Sequence, residues 1–219
     1  YDPLGGFQNA GLVPTAPLFN GGIFVSTQQQ MLFAWASTVT LNIGIQQDPM
    51  VIRWSDILDY TVFTALTTNQ AGSYRLSNGS AIRGGMSAFN QNLFWTDLDL
   101  WVANYQGQPF IWGFNIIGAG AGLISSHAAQ KLRSGIYWMG PTNFYVFDSG
   151  GVKVLPCSVW DAVFQNLSTA TRSDGRPATD SIRAMPNTPF NEAGWEYPSA
   201  ASVNGENDSY VKFNITEPN

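Results

Sequence analysis

The sequence predicts an all-β protein, a propeller-like array of three- to four-stranded antiparallel blades with one short connector helix. Aromatic residues make up 14% of the 219 residues, and such side chains favour strands because they pack across the pleat. The 22 glycines and 12 prolines supply many turns between short strands. A tryptophan-containing strand also recurs along the chain, at a spacing typical of propeller blades.

The recurring strand is short and aromatic. Trp95 and Trp138, in its second and third copies, are 43 residues apart. A unit of roughly 40 to 50 residues with three or four strands has the size of a propeller blade. A generic β-sandwich would explain the strands but not the recurrence, so the pattern favours a propeller. The copies are LFAWA at 32–36, LFWTD at 93–97, IYWMG at 136–140 and a fainter AGWEYP at 193–198.

Further strands follow the second and third copies. After LFWTD come LWVANY at 100–105 and FIWGF at 110–114; after IYWMG come FYVF at 144–147 and VKVL at 152–155. We therefore expect a single propeller domain over residues 1–219, or an internal segment of one. Its blade-like units are predicted near residues 28–45, 90–114, 133–155 and 190–215.

One helix is predicted over residues 158–167. Ser158 and Asp161 fit a capping box, and an apolar stripe follows at helical spacing. The polar stretch 167–189 is predicted to be a long loop. The alternating residues 210–215 predict a last short strand.

Charged residues make up only 11% of the chain, whereas soluble domains usually carry about 25%. The net charge is −5, and the 10 basic residues are scattered, so no basic stripe suited to tight nucleic-acid binding is present. Low surface charge is typical of virion proteins and of surfaces buried against neighbouring subunits. We therefore expect assembly with other subunits.

Cys157 is the only cysteine, which excludes an intrachain disulfide and a cysteine-based zinc site. No apolar run approaches the roughly 20 residues that span a bilayer, so no membrane association is expected. Because the sequence begins with Tyr1 rather than Met, we expect a segment of a larger polypeptide.

Two short motifs resemble catalytic or nucleotide-binding signatures without matching them. The run GAGAG at 118–122 has Leu123 where a dinucleotide fingerprint needs its third glycine, and its first following acid is Asp148. His127, the only histidine, follows Ser125 and Ser126, but no G-x-S-x-G elbow is present. Both segments are interpreted as structural.

Paired aspartates occur at two predicted turns. Asp97 with Asp99, and Asp56 with Asp59, could serve glycoside hydrolysis or bind calcium. The favoured interpretation is that each carboxylate accepts hydrogen bonds from local backbone N–H groups. We therefore predict no catalytic, cofactor-binding or metal-binding residues. Four glycosylation sequons occur, at Asn78, Asn166, Asn207 and Asn214. Such sequons arise easily by chance in a chain rich in asparagine, serine and threonine.

Two stretches of sequence indicate a protein family more specifically than the composition does. One runs QDPMVIRWSD at 47–56 and TNQAGSYRL at 68–76; the other runs GIYWMG at 135–140, NFYVFD at 143–148 and LPC at 155–157. Together they resemble the packaged-DNA stabilisation protein family of short-tailed bacteriophages and its marine-phage relatives. The resemblance spans roughly residues 46–167.

The resemblance implies a β-propeller subunit of a tail hub or nozzle in the virion. Such a subunit would form a ring of six copies below the portal adaptor protein, contact other tail proteins and help to retain the packaged genome until ejection. The scarcity of basic residues predicts that the packaged DNA passes through the channel without specific binding. The resemblance implies no enzymatic activity. It also implies that Trp54 and Trp138 are core anchors and that Gly72 and Gly140 lie at turns. The turn at 148–151 has one residue more than the family pattern implies.

Two other classes of function stay open from the sequence. One is a host-receptor or carbohydrate-binding module of a phage tail, which exposed tryptophans clustered in a concave groove would favour. The other is a propeller glycosidase, which needs several carboxylates converging at one end of the propeller axis. Buried tryptophans that repeat from blade to blade would favour the structural function.

Overall fold

The computed structural model describes residues 15–41 and 44–215. Strands account for 45% of the residues and helices for only 6%, which confirms the predicted all-β class. One α-helix, α1, spans Trp160–Phe164, and two 3-10 helices span Ala178–Ser181 and Thr188–Phe190. The strands are β1 Gly22–Val25, β2 Leu32–Trp35, β3 Thr38–Leu41, β4 Gly44–Gln47, β5 Val51–Trp54, β6 Gly72–Arg75, β7 Ile82–Ala88, β8 Gln91–Thr96, β9 Leu100–Gly107, β10 Ile111–Gly118, β11 Ala129–Lys131, β12 Ile136–Met139, β13 Phe144–Asp148, β14 Gly151–Val154, β15 Arg183–Ala184, β16 Glu192–Tyr197 and β17 Ser209–Asn214.

The strands form four successive antiparallel sheets, each in up-and-down order. Sheet I contains β1, β2, β5 and β6; sheet II contains β7 to β10; sheet III contains β11 to β14; and sheet IV contains β15 to β17. The hairpin β3–β4 is a separate two-stranded sheet inserted between the second and third strands of sheet I. The chain therefore folds as a series of meanders, as the recurrence of one strand predicts.

The repeated tryptophans occupy equivalent positions, always on the second strand of a sheet. Trp95, Trp138 and Trp195 are completely buried and Trp35 is nearly so. Each lies opposite a glycine or an alanine of the first strand, which leaves room on that face of the sheet for an indole ring. The pairs are Trp35 with Gly22, Trp95 with Gly84, Trp138 with Ala129, and Trp195 with Ala184.

Sheet II is covered on both faces, and successive residues of β8 enter different cores. Phe94 joins a core shared with sheet I, whereas Leu93 and Trp95 join a core shared with sheets III and IV. Because side chains alternate across a strand, a strand buried on both faces is a continuous apolar run rather than an alternating pattern. This explains why the LFW sequence is so strongly apolar.

Aromatic contacts join each sheet to the next. The ring centroids of Phe33 and Phe94 lie 5.4 Å apart between sheets I and II. Trp95 meets Trp138 edge-on at 5.6 Å between sheets II and III. Between sheets III and IV, Phe144 and Trp195 lie 4.8 Å apart. Aromatic rings at these distances attract each other, and this adds to the stabilisation from burial. The four sheets therefore form one packed series.

The predicted helix is shorter than expected, and its capping box does not form. The helix begins one residue late, with Val159 at the N-cap and no side-chain capping bond. Asp161 is therefore the second helical residue rather than the third, and its Oδ1 accepts a hydrogen bond from Gln165 Nε2 at 3.0 Å. An aspartate at this position does not reach back to the N-cap N–H.

The predicted units lack their first strands. β7 begins at Ile82 and β11 at Ala129, before the expected starts at 90 and 133. Sheet I spans residues 22–75 rather than 28–45, because its strands β1, β5 and β6 lie outside the predicted bounds and the hairpin β3–β4 forms a separate sheet. The region 167–189, expected to be a loop, contains β15, the 3-10 helix Ala178–Ser181 and the start of the 3-10 helix Thr188–Phe190. β7, β11 and β15 consist mostly of small or polar residues, which have low strand propensity, whereas the missed strand β1 is apolar at Ile23, Phe24 and Val25.

The two predicted core anchors are confirmed, but only one of the predicted turn glycines lies at a turn. Trp54 and Trp138 are buried. Gly140 N–H donates to Asn143 O at the β12–β13 turn. Gly72 instead begins β6, where a Cβ atom would lie 2.6 Å from Trp54 Cζ2. Glycine is used there for close packing against the indole.

Candidate functional site

The turn carboxylates of sheet II hold neighbouring segments in place. Asp97 Oδ1 accepts from Ser80 N at 2.8 Å and Ala81 N at 3.3 Å, and its Oδ2 accepts from Ser80 Oγ at 2.5 Å. Partial burial raises the pKa of Asp97, but these hydrogen bonds outweigh it and hold the pKa below its ordinary value of 3.8. Asp99 accepts from the Asn78 amide and, at 2.8 Å, from Gly120 N.

The aspartates after β5 act in the same way. Asp56 Oδ1 accepts from the N–H groups of Ile57 and Gln70, both at 2.8 Å. Asp59 Oδ1 accepts from Thr61 Oγ1 and Thr61 N, which lowers the pKa of Asp59. Asp59 therefore accepts the hydrogen bonds of its own bend, as predicted, and Asp56 does so in part. The partners of Asp97 and Asp99 lie 16 to 21 residues away in the sequence, so the prediction of local partners is wrong for these two carboxylates.

The segment 118–127 packs between sheets. Ser125 is completely buried, and its hydroxyl donates to Ile182 O at 2.5 Å. His127 is exposed, and its backbone bridges to Arg183 in β15 of sheet IV. The Ser125 hydroxyl therefore donates to a backbone carbonyl and not to the His127 imidazole, so the two side chains are not paired as in a catalytic triad. Gly122 packs against the carbonyl of Asp97, where a Cβ atom would collide with backbone.

The remaining single-residue candidates also have local partners. Cys157 is half-buried, and desolvation raises the pKa of its thiol. Asn207 Nδ2 donates to Ser181 O at 2.7 Å, so this sequon amide fixes the loop beside a 3-10 helix. Across residues 15–41 and 44–215, no three His, Cys, Asp or Glu side chains are grouped so that they could hold a metal ion.

Exposed apolar residues of β1 and of the loop after β5 form a patch at the edge of sheet I; we call it the sheet I patch and define it as Ile23, Val25, Leu58 and Tyr60. Their exposed fractions are 57%, 52%, 71% and 66%. Val25, Leu58 and Tyr60 line one open depression. Leu58 has φ 59°, a left-handed conformation that costs a non-glycine residue about 1–2 kcal/mol.

A cleft lies at the hairpin tips of sheets II and III; we call it the tip cleft. Its volume is about 570 Å³, and its lining includes Phe89, Gln91, Arg133, Ser134 and Asp148. A second, adjoining depression shares Arg133 and Ser134 and extends to Thr188 and Asn191 before β16. Arg133 thus lies between two concave surfaces at one end of the sheets.

Sequence reasoning missed both the sheet I patch and the tip cleft. A Phe-Asn pair between two strands is a signal for a two-residue turn, because asparagine tolerates positive φ. The strand before that turn, β7, contains Gly84 and Gly85 and has no clear strand pattern in the sequence, so the sequence shows a strand on only one side of the turn. The patch depends on which face of sheet I is covered, and no local pattern gives that.

No protein-family model matches the sequence, and comparison with curated proteins finds no relative. In the described part of the chain, no helix has the length and apolar character needed to cross a membrane.

Proposed function

We propose that this protein is a structural subunit of a bacteriophage tail hub or nozzle. Sheets I to IV are blades of a propeller, and six copies of the chain close a ring around the DNA exit channel. The ring lies below the portal adaptor protein, contacts other tail proteins and helps to retain the packaged genome until ejection. Its role is mechanical rather than enzymatic.

The segments that resemble the phage family supply structural parts of the sheets. Residues 47–56 and 68–76 contain β5 and β6, and residues 135–157 contain β12 to β14. Seven of the eight tryptophans are buried, and four of these repeat on the second strands. Buried, repeated tryptophans support a structural blade rather than a module that stacks sugars on exposed indoles.

The sheet I patch is the observation that carries the assembly proposal. Both faces of sheet II contribute to packed cores, whereas sheet I presents Ile23 and Val25 outward. Apolar side chains exposed in a cluster mark interaction surfaces, and interface cores are depleted in charge. We assign a second copy of the chain as the occupant, because a contact between two different faces of identical subunits forms a ring when its rotation closes.

The acidic character of the chain is consistent with a channel that DNA passes. With a net charge of −5, the subunit repels the phosphate backbone weakly and does not grip it. A ring whose channel wall consists mainly of lysine and arginine would contradict this part of the proposal.

The mass of the assembled particle tests the proposal. In sedimentation equilibrium or native mass spectrometry, the wild-type chain should form a ring of six copies. Val25→Asp places a charge in the sheet I patch and should give monomers. Val203→Asp, at a position that is 90% exposed and outside the patch, is the matched control and should leave the ring intact. A wild-type chain that stays monomeric at high concentration would refute the proposal.

A second variant separates assembly from folding. Leu58→Gly removes an apolar side chain from the patch and also relieves the left-handed strain at this position. The free chain should therefore become more stable while the ring becomes weaker. A ring of unchanged stability would show that the sheet I patch is not its interface.

A further inference from the structure

We infer that the tip cleft binds an acidic sugar, such as a uronic acid unit of a polysaccharide. The inference is independent of the ring proposed above, because the cleft lies at the hairpin tips and shares no residue with the sheet I patch. It depends on a strained aromatic residue, on two cations without ion pairs, and on polar groups that line the same cleft.

The first observation is the backbone of the β7–β8 turn. Phe89 and Asn90 form a two-residue turn with φ 51° and 65°, so both are left-handed. This type of turn is usually built from asparagine and glycine, and a bulky aromatic residue there is a conformational outlier. Phe89 is nevertheless 45% exposed, so only part of its ring is buried against the protein. Strain held at an exposed position is characteristic of functional sites.

The second observation is the charge around this ring. Lys131 Nζ lies 5.5 Å from the centre of the Phe89 ring, and Arg133 lines the cleft. Among the described residues neither cation forms an ion pair. Asp148, the carboxylate of the cleft, is paired with Lys153 Nζ at 3.0 Å, and this contact lowers its pKa. The cleft thus holds an arginine without an ion pair and an aspartate whose charge Lys153 offsets, and Lys131 lies beside the Phe89 ring.

These groups match the chemistry of an acidic sugar. A pyranose ring has an apolar C–H face that stacks on an aromatic ring, and its hydroxyl edge needs donors and acceptors. Phe89 supplies the ring, while Gln91 and Ser134 supply the polar groups. Arg133 can hold a carboxylate through two parallel hydrogen bonds. The Ser134 hydroxyl is already positioned by Tyr137 OH, at 2.9 Å.

The cleft is also large enough for more than one sugar unit. Its volume of about 570 Å³ lies in the range of small-molecule sites. Across the Arg133–Ser134 turn, the adjoining depression offers Thr188 and Asn191. An acidic oligosaccharide could therefore contact the tips of sheets II, III and IV together.

The test uses trigalacturonic acid as the probe and a galactose trimer as its neutral counterpart. In isothermal titration calorimetry the acidic trimer should bind saturably, and the neutral trimer at least about tenfold more weakly, the equivalent of one lost charged contact. Arg133→Ala should weaken binding of the acidic trimer by a similar factor. Arg176→Ala removes an exposed cation elsewhere and should change nothing.

Phe89→Gly distinguishes a binding role from a structural one. Glycine suits the left-handed turn, so the melting temperature should rise by about 2–4 °C while affinity for the acidic trimer falls. Absence of saturable binding, or binding that Arg133→Ala leaves unchanged, would overturn the inference. A hexaglutamate peptide that binds when the sugar does not would identify an acidic protein segment instead, which also overturns the assignment of a sugar.

Discussion

Replacement of Trp138 by alanine tests the packing between sheets most directly. The Trp138 side chain is completely buried, meets Trp95 edge-on at 5.6 Å and stacks on Tyr145 at 5.5 Å. Trp138 Nε1 donates to Ala121 O at 3.0 Å, which ties sheet III to the segment that leaves sheet II. The substitution therefore removes packing and a hydrogen bond together.

The expected loss is large compared with the stability of a domain. Truncation of a buried tryptophan to alanine costs about 3–5 kcal/mol through lost burial and the remaining cavity. A buried carbonyl left without its donor adds about 1–3 kcal/mol. Because domains are stable by about 5–15 kcal/mol, Trp138→Ala should leave the chain close to unfolding at room temperature.

Trp160→Ala is the matched control. Trp160 also donates from Nε1 to a backbone carbonyl, Thr142 O at 2.8 Å, and stacks on Phe164. It is 37% exposed, however, so water replaces part of what is lost. The control should lose no more than about 2 kcal/mol.

Urea unfolding followed by far-ultraviolet circular dichroism gives both free energies of unfolding. Tryptophan fluorescence is less suitable, because each variant lacks one of the eight tryptophans and its signal therefore differs from that of the wild type. The two losses should differ by at least about 2 kcal/mol, the gap between a buried and a half-exposed side chain. Equal losses in the two variants would refute the proposal that Trp138 anchors neighbouring sheets.

Two further predictions concern a glycine and a carboxylate. Gly72→Ala forces a Cβ atom against Trp54 and should lower the free energy of unfolding by about 1–3 kcal/mol, while Ser73→Ala on the exposed face of the same strand should be nearly neutral in urea unfolding. The pKa of Asp97 is lower folded than unfolded, so its contribution is full above about pH 4 and is lost as pH falls through the folded value. Asp97→Asn should therefore lessen the acid dependence of the melting temperature, and an unchanged pH profile would contradict this.

The sequence by itself determined the all-β fold class and the positions of the strands that contain the repeated tryptophan. The apolar run of Leu93, Phe94 and Trp95 predicts a buried strand because every side chain of such a run needs cover. The turn role of Asp59 was also predictable, since its carboxylate accepts from the N–H and hydroxyl of Thr61, two residues further along the chain. Each of these features is set by neighbours in the chain.

The first strands of the sheets were decided by tertiary structure. β7 contains Gly84 and Gly85, and β11 is only three residues long, so neither has a strong local preference for strand. Their small residues are required by the tryptophan on the next strand: Gly84 faces Trp95 and Ala129 faces Trp138. A residue that looks like a strand breaker in sequence is thus a strand residue in context.

The exposed apolar residues were likewise set by the assembled fold. Leu58 and Phe89 are ordinary core residues by type, yet they lie exposed in left-handed conformations. Which face of a sheet stays open depends on the sheets stacked around it, and those contacts join residues distant in sequence. Local propensity carries no information about such contacts, so only the tertiary structure located the sheet I patch and the tip cleft.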